Sequence, residues 1–315
     1  MTKISHIEDK KQLAYCFNCR DFSFLKEKVH IGKNELKNYV EKNDQIYGYK
    51  INKIEQLTNI YNFNVYAVNF EFSELSVWPT IEEFSAISNM LLLLKKDIDI
   101  SAGYYILKIP AHMLYLINMV SETVGNYIFA GTTKCYTLNQ YIDKQFKEDD
   151  TRILLANDKI KLVYGEQLKM ISQKSFENHK GQYHISEITR DKAVFIYKNW
   201  IDQYINSSDD IIVAFSGENI VGFLAIDEDE NYIEGSLGAV DSNYRNMHIY
   251  EKMERMAVQI SIQKNKIFVT STQLENYIIQ KAENNIGLIH YYSFHNIHIN
   301  NLNAKEVQII SGILE

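Results

Sequence analysis

The sequence contains very little proline and cysteine, with 2 Pro and 3 Cys among 315 residues. Three cysteines cannot form the disulfide framework of a secreted domain, so we expect a reducing compartment. No Pro-rich linker, low-complexity segment or internal repeat is visible. Positive charge is also scarce, because 33 Lys and Arg stand against 40 Asp and Glu and the net charge is −7. This balance argues against a nucleic-acid-binding protein, which needs a basic surface to contact phosphates.

Long apolar runs are missing as well. Residues 1–11 are polar and no apolar stretch comes after them, so no secretory leader is predicted. The most apolar run, MLLLL at residues 90–94, is far too short to cross a bilayer. We therefore expect a cytoplasmic protein with no membrane partner.

The overall composition is that of a globular protein with many aromatic residues. The chain is 46% hydrophobic and 23% charged, which excludes a wholly disordered protein. Its length favours two domains, since single cores usually stop growing at about 250–300 residues. We predict an N-terminal α/β lobe over 1–158 and a second domain over 159–315. The 22 Tyr and 15 Phe suit a large core and a pocket in which rings can stack on a ligand.

Two of the cysteines form a Cys-x-x-Cys pair at Cys16 and Cys19. A zinc site would need a second pair, and only the distant Cys135 remains. A redox motif would need a strand before the pair and a helix beginning at it, and the residues after the pair have no helical pattern. We therefore interpret both as ordinary structural thiols.

The N-terminal lobe contains a strand–helix–strand pattern without recognisable chemistry. Residues 102–108 (AGYYILK) are typical of a strand, and residues 127–131 return to strand character. Between them, Pro110 stands at the start of a stretch that is apolar on all sides and runs to Val120. This pattern predicts a buried helix that begins at the proline.

The C-terminal domain has sharper patterns. An apolar stripe at helical spacing predicts a helix over 186–206. Gly217 begins a turn between two apolar runs and predicts a hairpin. The elements predicted after that helix are strands at 211–215, 220–226 and 232–240, a helix at 247–264, a strand at 266–272, a helix at 275–285 and a strand at 288–299.

This order of elements resembles the GCN5-related N-acetyltransferase (GNAT) fold. The segments that carry the resemblance are ENIVGFLAID (218–227), SLGAVDSNYRNMHIYEKM (236–253) and FVTSTQLENYIIQKAENNIGL (268–288). The TQLEN run that begins at Thr272 resembles the TQxxN motif of the dTDP-fucosamine acetyltransferase type, a branch that acetylates nucleotide-linked amino sugars. SFENHKGQYHIS (175–186) and IYKNW (196–200) are also similar to that branch. In the N-terminal half, only residues 17–32 loosely resemble its extra, incomplete α/β lobe, which we expect to form a wall of the acceptor site.

The resemblance implies an α/β (α+β) fold with a mixed, mostly antiparallel sheet flanked by helices. It also implies acetyl-CoA as cofactor and transfer of its acetyl group to the 3- or 4-amino group of a nucleotide-linked amino-dideoxyhexose. We expect dTDP as the nucleotide and a role in the biosynthesis of surface polysaccharide such as O-antigen and lipopolysaccharide. Two alternatives remain: acetylation of another small amine or peptide, and a GNAT-like binding module without catalysis. The protein would be a monomer or a homodimer.

The resemblance assigns the pantetheine and the acetyl carbonyl to the backbone amides at the end of one strand. These are the amides of Gly238, Ala239 and Val240, since Gly235 and Gly238 lie where a splay or bulge would form. The alternative is that both glycines merely accommodate a bend in the sheet.

The pyrophosphate is assigned to the turn and first helical amides after that strand, where the helix dipole attracts anions. The family pattern is Gln/Arg-x-x-Gly-x-Gly/Ala. The corresponding residues are Arg245, Asn246, Met247, His248, Ile249 and Tyr250. The arginine matches, but His248 and Tyr250 replace the small residues. We expect the amides to remain available, because helical φ does not require glycine. The alternative is an exposed helix cap.

Proton transfer is assigned to the short helix after TQxxN. In the family a tyrosine there protonates the departing thiolate, and the corresponding position holds Glu283. At its ordinary pKa this glutamate is ionised and suits the role of base, whereas burial would raise the pKa and reverse the role. A plain surface glutamate is the alternative. Tyr250, Tyr277 and His248 are further candidate donors, and Asn276 is expected to fix the helix start and the cofactor.

The acceptor is expected to bind a polar and aromatic loop. Lys180, Tyr183 and His184 supply a cation, a stacking ring and a hydrogen-bonding imidazole, although ordinary loop packing explains them equally well. His295 and His298 lie three apart on a predicted strand and so point to opposite faces. No metal site is predicted.

Overall fold

The computed structural model describes residues 37–42, 45–72, 79–138, 150–179 and 181–303. The Cys16 and Cys19 pair, the segment 17–32 and Lys180 lie outside the described residues. Within the described ranges no helix is long and apolar enough to cross a membrane.

The described residues contain eleven strands and eight α-helices. In chain order they are β1 (Asn38–Lys42), β2 (Gln45–Lys53), α1 (Glu55–Tyr61), β3 (Val65–Phe72), α2 (Ile81–Ile100), β4 (Gly103–Pro110), α3 (Leu114–Thr123), β5 (Ile128–Leu138), β6 (Thr151–Leu155), α4 (Asp158–Phe176), α5 (Glu187–Arg190), α6 (Ala193–Ile205), β7 (Asp210–Ser216), β8 (Asn219–Glu228), β9 (Tyr232–Val240), α7 (Ile249–Gln263), β10 (Ile267–Gln273), α8 (Tyr277–Asn285) and β11 (Leu288–Asn301).

The chain forms two compact units. Unit 1 comprises Met1–Thr132 and Phe294–Glu315, and unit 2 comprises Thr133–Ser293. The chain passes from one unit to the other within β5 and again within β11. These divisions do not coincide with the predicted boundary at 158 and 159. The last part of β11 pairs with β4 and therefore belongs to unit 1.

In unit 1 the strand order is β1-β2-β3-β4-β11. Only β3 and β4 run parallel among these neighbours, and the other pairs are antiparallel. Helix α2 begins with a capping box, in which the Thr80 side chain accepts from the Glu83 amide and the Glu83 side chain accepts from the Thr80 amide. Its buried face, which includes Ile87, Leu91 and Leu94, packs in the core of this unit.

The predicted strand over 102–108 is confirmed as β4, but the helix after it begins later than predicted. Pro110 is the last residue of β4 and stands opposite Phe294 of β11, so it does not start a helix. The end of a strand tolerates proline because no further ladder hydrogen bond is required there. Helix α3 begins at Leu114, which is 60% exposed, so this helix is not buried on all sides.

In unit 2 the strand order is β5-β10-β9-β8-β7-β6. β9 and β10 are parallel, whereas the other neighbouring pairs are antiparallel. Helix α7 packs against this sheet through a stripe at helical spacing that includes Ile249, Met253 and Ala257. The mixed, mostly antiparallel sheet with flanking helices that the sequence predicts is therefore confirmed.

Most predicted elements of unit 2 are present. β9 has the predicted bounds, and the hairpin turn is formed by Gly217 with φ of 59°, a value that favours glycine. The single helix predicted over 186–206 is instead two helices, α5 and α6, separated by two turn residues. Ser186 caps the first of them by accepting from the Ile188 amide, and Thr189 donates to the Tyr183 carbonyl, so this part folds back on the preceding loop.

Candidate functional site

A pocket of about 600 Å³ lies within unit 2. Its lining residues come from four short stretches, namely 175–179 at the end of α4, 238–240 at the end of β9, 244–251 at the start of α7 and 276–285 along α8. Because strand ends and helix starts expose backbone groups that lack partners within their own element, such a place suits a polar ligand.

The pocket opens where β9 and β10 diverge. Their parallel pairing runs from Tyr232 opposite Ile267 to Gly235 opposite Thr270 and ends there. At this last pair the Thr270 hydroxyl donates to the Gly235 carbonyl at 3.1 Å. From Ser236 onward β9 continues beside β8 alone, so one edge of its backbone faces the opening.

A β-bulge lies at the same place. Ile226 of β8 stands opposite Gly235 of β9, and its neighbour Ala225 stands opposite Leu237. Ser236 is therefore an extra residue in β9, and such bulges bend a strand and redirect the residues after them. The predicted splay near Gly235 and Gly238 thus has a defined origin in the structure, one residue after Gly235.

Backbone alternation decides which strand-end amides face the opening. The Asp241 amide donates to the Val221 carbonyl at 2.9 Å, which directs it toward β8. Since successive residues of a strand alternate, the Ala239 amide points toward β8 and those of Gly238 and Val240 point away from it. All three predicted residues line the pocket, and two of them present their amides to it.

Gly238 is required by close packing. A Cβ atom at this position would lie 2.8 Å from Cε2 of Tyr250 and 3.0 Å from Cδ1 of Leu224. The Tyr250 ring thus lies directly over the strand backbone, and it also lines the pocket. Tyr250 stands where the family pattern has a small residue, and its ring therefore contacts the region assigned to the pantetheine.

The turn before α7 has an unusual backbone. Asn246 and His248 have φ of 65° and 56°, in the left-handed region. The expectation that helical φ removes the need for glycine holds at Tyr250 but is wrong at His248, where a side chain costs about 1 kcal/mol. Arg245, Asn246, His248, Ile249 and Tyr250 line the pocket, whereas Met247 does not.

The start of α7 provides backbone donors. His248 is the N-cap and no side chain caps the helix, so the first-turn amides and the positive end of the dipole remain available to an anion. The charged lining residues include Arg245, Lys281 and Glu251. The Glu251 carboxylate is bound by Asn285 Nδ2 at 2.9 Å and lies 3.1 Å from His248 Nδ1, and these contacts offset its charge at this end of the pocket.

The TQxxN run forms the opposite wall. Asn276 lines the pocket, and its side-chain amide donates to the Thr272 hydroxyl at 3.1 Å. Tyr277 is 72% exposed and does not line the pocket. The structure thus brings Asn276, but not Tyr277, to the predicted cofactor site.

Glu283 lies behind the pocket and not in its lining. Its side chain is fully buried, and neither carboxylate oxygen has a hydrogen-bond partner among the described residues. Burial and the nearby Glu254 carboxyl raise the pKa of Glu283 to about 10, against a smaller opposing effect of Lys134. Burial also raises the pKa of Glu254 well above its ordinary value. Of the two roles that the sequence allows, this environment favours the protonated glutamate.

The loop that contains Tyr183 and His184, which is predicted to bind the acceptor, is part of an aromatic cluster next to the pocket. Phe176 and His179 line the pocket, and the ring of Phe176 stacks on Tyr197 at 4.1 Å between centroids. The His184 ring stacks on the same Tyr197 at 6.1 Å, and Tyr183 is buried with its ring edge-on to that tyrosine. Neither Tyr183 nor His184 belongs to the lining.

His179 is a titratable pocket residue that sequence reasoning missed. Burial, together with the His184 imidazole, lowers the pKa of His179 to about 4, so it is neutral at pH 7. The signal that would have found it is its place in the segment 175–186, three residues after Phe176. Among the described residues, no group of three or more His, Cys, Asp or Glu side chains is arranged to hold a metal ion.

Comparison with known proteins relates this chain to others by structure alone, since neither a family model nor a curated protein matches the sequence. A GCN5-related N-acetyltransferase from Sphaerobacter thermophilus has 9% identity and a TM-score of 0.55, over 95% of this chain and 92% of that one. A GNAT-family acetyltransferase from Colwellia psychrerythraea has 8% identity and a TM-score of 0.50, over 95% and 98%. A functionally unknown conserved protein from Staphylococcus epidermidis has 13% identity and a TM-score of 0.52, over 84% and 94%. At these identities the likeness shows the fold, and the predicted GNAT fold is confirmed.

Proposed function

We propose that this protein is an acetyl-CoA-dependent N-acetyltransferase. The proposal rests on the divergence of β9 from β10 at a bulge, which opens into a pocket that the uncapped start of α7 also lines. This arrangement offers strand-edge amides and helix-start amides to one extended ligand. A pocket of about 600 Å³ is also within the usual range for small-molecule sites, about 300–1,000 Å³.

The residues present fit such a donor. The outward amides of Gly238 and Val240 would pair with the pantetheine as an added strand does, and Asn276 lines the same pocket. The α7 amides and the Arg245 guanidinium would bind the diphosphate. When bound, acetyl-CoA supplies an acetyl group activated as a thioester for transfer to an amine.

Proton handling is assigned to groups around Tyr250. Tyr250 lines the pocket, and burial, together with the neighbouring Glu254 and Glu283 carboxyls, raises its pKa well above the ordinary value. We assign to the Tyr250 hydroxyl the hydrogen bond to the leaving sulfur, with the protonated carboxyls behind it as the proton source. The neutral His179 imidazole accepts a hydrogen bond from the incoming amine and orients it. It then takes the proton that the nitrogen releases when the nitrogen–carbon bond forms and the carbon–sulfur bond breaks.

For the acceptor we propose a nucleotide-linked amino-dideoxyhexose, with its amine at C3 or C4 and dTDP as the nucleotide. Support comes from the TQLEN run and from the aromatic rings of Phe176 and His179 in the pocket lining, which pack against Tyr197 of α6. Aromatic rings of this kind suit stacking with a base or a sugar face. A different small amine or a peptide amine is the alternative acceptor of the same reaction.

The experiment that tests the donor is thermal unfolding with and without millimolar acetyl-CoA. A specific ligand of the native state raises the unfolding temperature, so a shift with acetyl-CoA and none with ADP supports the proposal. No shift and no binding by calorimetry would refute it. Turnover is then measured with dTDP-linked 3-amino and 4-amino sugars beside simple amines. Activity on simple amines alone would refute the sugar-nucleotide acceptor and leave the acetyltransferase intact.

A binding module without catalysis is a second candidate, and one observation favours it. His248 occupies a left-handed position, and the Tyr250 ring lies over Gly238, so both departures from the family pattern reduce the room for a donor. In that case neither binding nor turnover of acetyl-CoA is expected. Calorimetric titration with acetyl-CoA distinguishes the two, because an enzyme must bind its donor. In an enzyme, Tyr250→Phe should also lower turnover by about 100-fold.

A further inference from the structure

We propose that Asp227, with Tyr204 and Ser236, is the positioning element that holds the β9 bulge and thereby selects which backbone amides face the pocket. This role rests on the proposed function and deepens it, since it concerns the donor side of that site. Asp227 is a positioning residue because it acts through the backbone of β9 and does not line the pocket.

The three residues meet at one carboxylate oxygen. The Ser236 hydroxyl donates to Asp227 Oδ2 at 2.5 Å, and the Tyr204 hydroxyl donates to the same oxygen at 2.5 Å. Asp227 is 7% exposed and Tyr204 is 5% exposed, so both bonds are formed away from water. Hydrogen bonds to a desolvated carboxylate are stronger than those between neutral groups.

The position of this cluster in the sheet gives it a specific consequence. Ser236 is the extra residue of the bulge, and it comes directly after Gly235, the last residue of β9 that pairs with β10. Asp227 belongs to β8 and Tyr204 to α6, so the bulged residue is tied at once to the neighbouring strand and to a helix. The cluster therefore holds the residue at which the two parallel strands separate.

The bulge decides the direction of every amide after it. The pattern of a strand has a period of two, so removing one residue from the register would exchange inward and outward positions. With the bulge, the amides of Gly238 and Val240 point away from β8. Without the bulge, the amides of Leu237 and Ala239 would point away from β8 instead. The ligand could then no longer approach the backbone closely at Gly238. Holding Ser236 in place therefore preserves the donor-binding edge.

The test compares two hydroxyl deletions with a matched control. Ser236→Ala and Tyr204→Phe each remove one bond to Asp227. Ser172→Ala removes a bond from a buried serine hydroxyl to the Tyr197 carbonyl, which tethers the same helix α6 but does not touch the bulge. For each variant, CoA affinity is measured by calorimetry, and the unfolding temperature is measured without ligand.

We expect Ser236→Ala and Tyr204→Phe each to weaken CoA binding by about 10-fold, and the double variant to lose little more than either, because the two bonds share one acceptor. Ser172→Ala should lower the unfolding temperature while CoA affinity stays at the wild-type value. In turnover assays the KM for acetyl-CoA should rise in the bulge variants while the KM for the acceptor stays unchanged.

Two results would overturn the inference: bulge variants that bind CoA as the wild type does, or a Ser172→Ala variant that loses affinity equally. If Tyr204→Phe does not fold, Ser236→Ala and Ser236→Thr still decide, since threonine retains the hydroxyl and should retain affinity. A wild-type protein that does not bind CoA would refute the proposed function itself. Wild-type binding with unaffected variants would refute the positioning role alone.

Discussion

The two units share an arrangement of strands and helices but differ at their strand ends and helix starts. Unit 1 has the order β2, α1, β3, α2, β4, α3, and unit 2 has the order β8, β9, α7, β10, α8, which matches it except for the additional helix α1. In each, the first two strands are antiparallel and the third runs parallel to the second. The parallel pairing stops early in both, at Val68 opposite Leu107 in unit 1 and at Gly235 opposite Thr270 in unit 2.

The differences lie at the bulge and at the helix start. In unit 1 the register of β2 on β3 runs without interruption from Tyr47 opposite Phe72 to Lys53 opposite Tyr66, whereas that of β8 on β9 shifts at Ser236. A capping box closes the start of α2, while α7 begins at His248 without a side-chain cap. The two units therefore share strand directions but differ in strand register and in the capping of the helix start.

The largest effect is expected from adding side chains at two tightly packed glycines. Gly238→Val should weaken CoA binding by about 100-fold or more, because the new atoms would collide with Tyr250 and Leu224 and fill the donor edge. Gly103→Val in unit 1 is the matched control, since its Cβ would lie 2.6 Å from the Tyr66 ring. Calorimetric titration with CoA and urea unfolding should show lost stability in both variants and lost affinity in Gly238→Val alone. An equal loss of CoA affinity in Gly238→Val and Gly103→Val would contradict the placement of the CoA site in unit 2.

Stability should depend on pH in opposite directions through two buried groups, Glu283 in unit 2 and His298 in unit 1. Glu283 in unit 2 has a pKa raised from about 4.5 to about 10, so the folded state binds the proton that the unfolded state releases, and stability falls as pH rises between these values. His298 in unit 1 is fully buried with a pKa lowered from about 6.5 to about 3, so stability falls as pH drops through that interval. Each group contributes at most about 1.4 kcal/mol per pH unit.

Urea unfolding at pH 5, 7 and 9 checks this prediction. Glu283→Gln should flatten the decline between pH 7 and 9, and His298→Gln should flatten the decline between pH 7 and 5. The two substitutions retain a polar side chain of similar size, so packing changes are small compared with the loss of titration. An unchanged pH profile in Glu283→Gln would show that this carboxyl is not protonated in the folded protein.

The smallest effects are expected at the two helix starts, and they should have opposite signs. His248→Gly should stabilise the fold by about 1 kcal/mol, because glycine adopts the left-handed φ without a steric penalty. Thr80→Ala should destabilise it by about 1 kcal/mol through loss of the capping box in α2. Urea unfolding measures both, and CoA titration should be affected only by His248→Gly. A less stable His248→Gly would mean that the contact of His248 with Glu251 outweighs the backbone strain.

Much of unit 2 can be predicted from local pattern. β9 has the predicted bounds because its apolar run is enclosed by turn residues, and α7 lies within two residues of its predicted bounds because its buried stripe repeats at helical spacing. Local pattern fails where a backbone choice depends on neighbours. The helix predicted from Pro110 begins only at Leu114, because Pro110 is the last residue of β4 and pairs with β11.

The candidate site shows the same limit. Residues 238–240 and Arg245 can be placed because they lie close together along the chain between a strand and a helix. His179 cannot, since it reaches the pocket from the end of α4, far away in sequence. The protonation of Glu283 cannot be predicted from local sequence either, because it depends on Glu254 of a different helix and on complete burial.

By itself, the sequence determined the order of elements from β7 to β11 and the strand–turn–helix that carries the predicted donor residues, since hydrophobic period, glycine and turn residues act over a few positions. The few prolines and cysteines are consistent with a chain held by packing, and Cys135 is buried and forms no disulfide among the described residues. Only the tertiary structure decided that Ser236 is the bulged residue, that Glu283 is buried beside another carboxyl, and that the end of the chain joins unit 1. Each of these depends on contacts between residues distant in sequence, and no local pattern encodes such contacts.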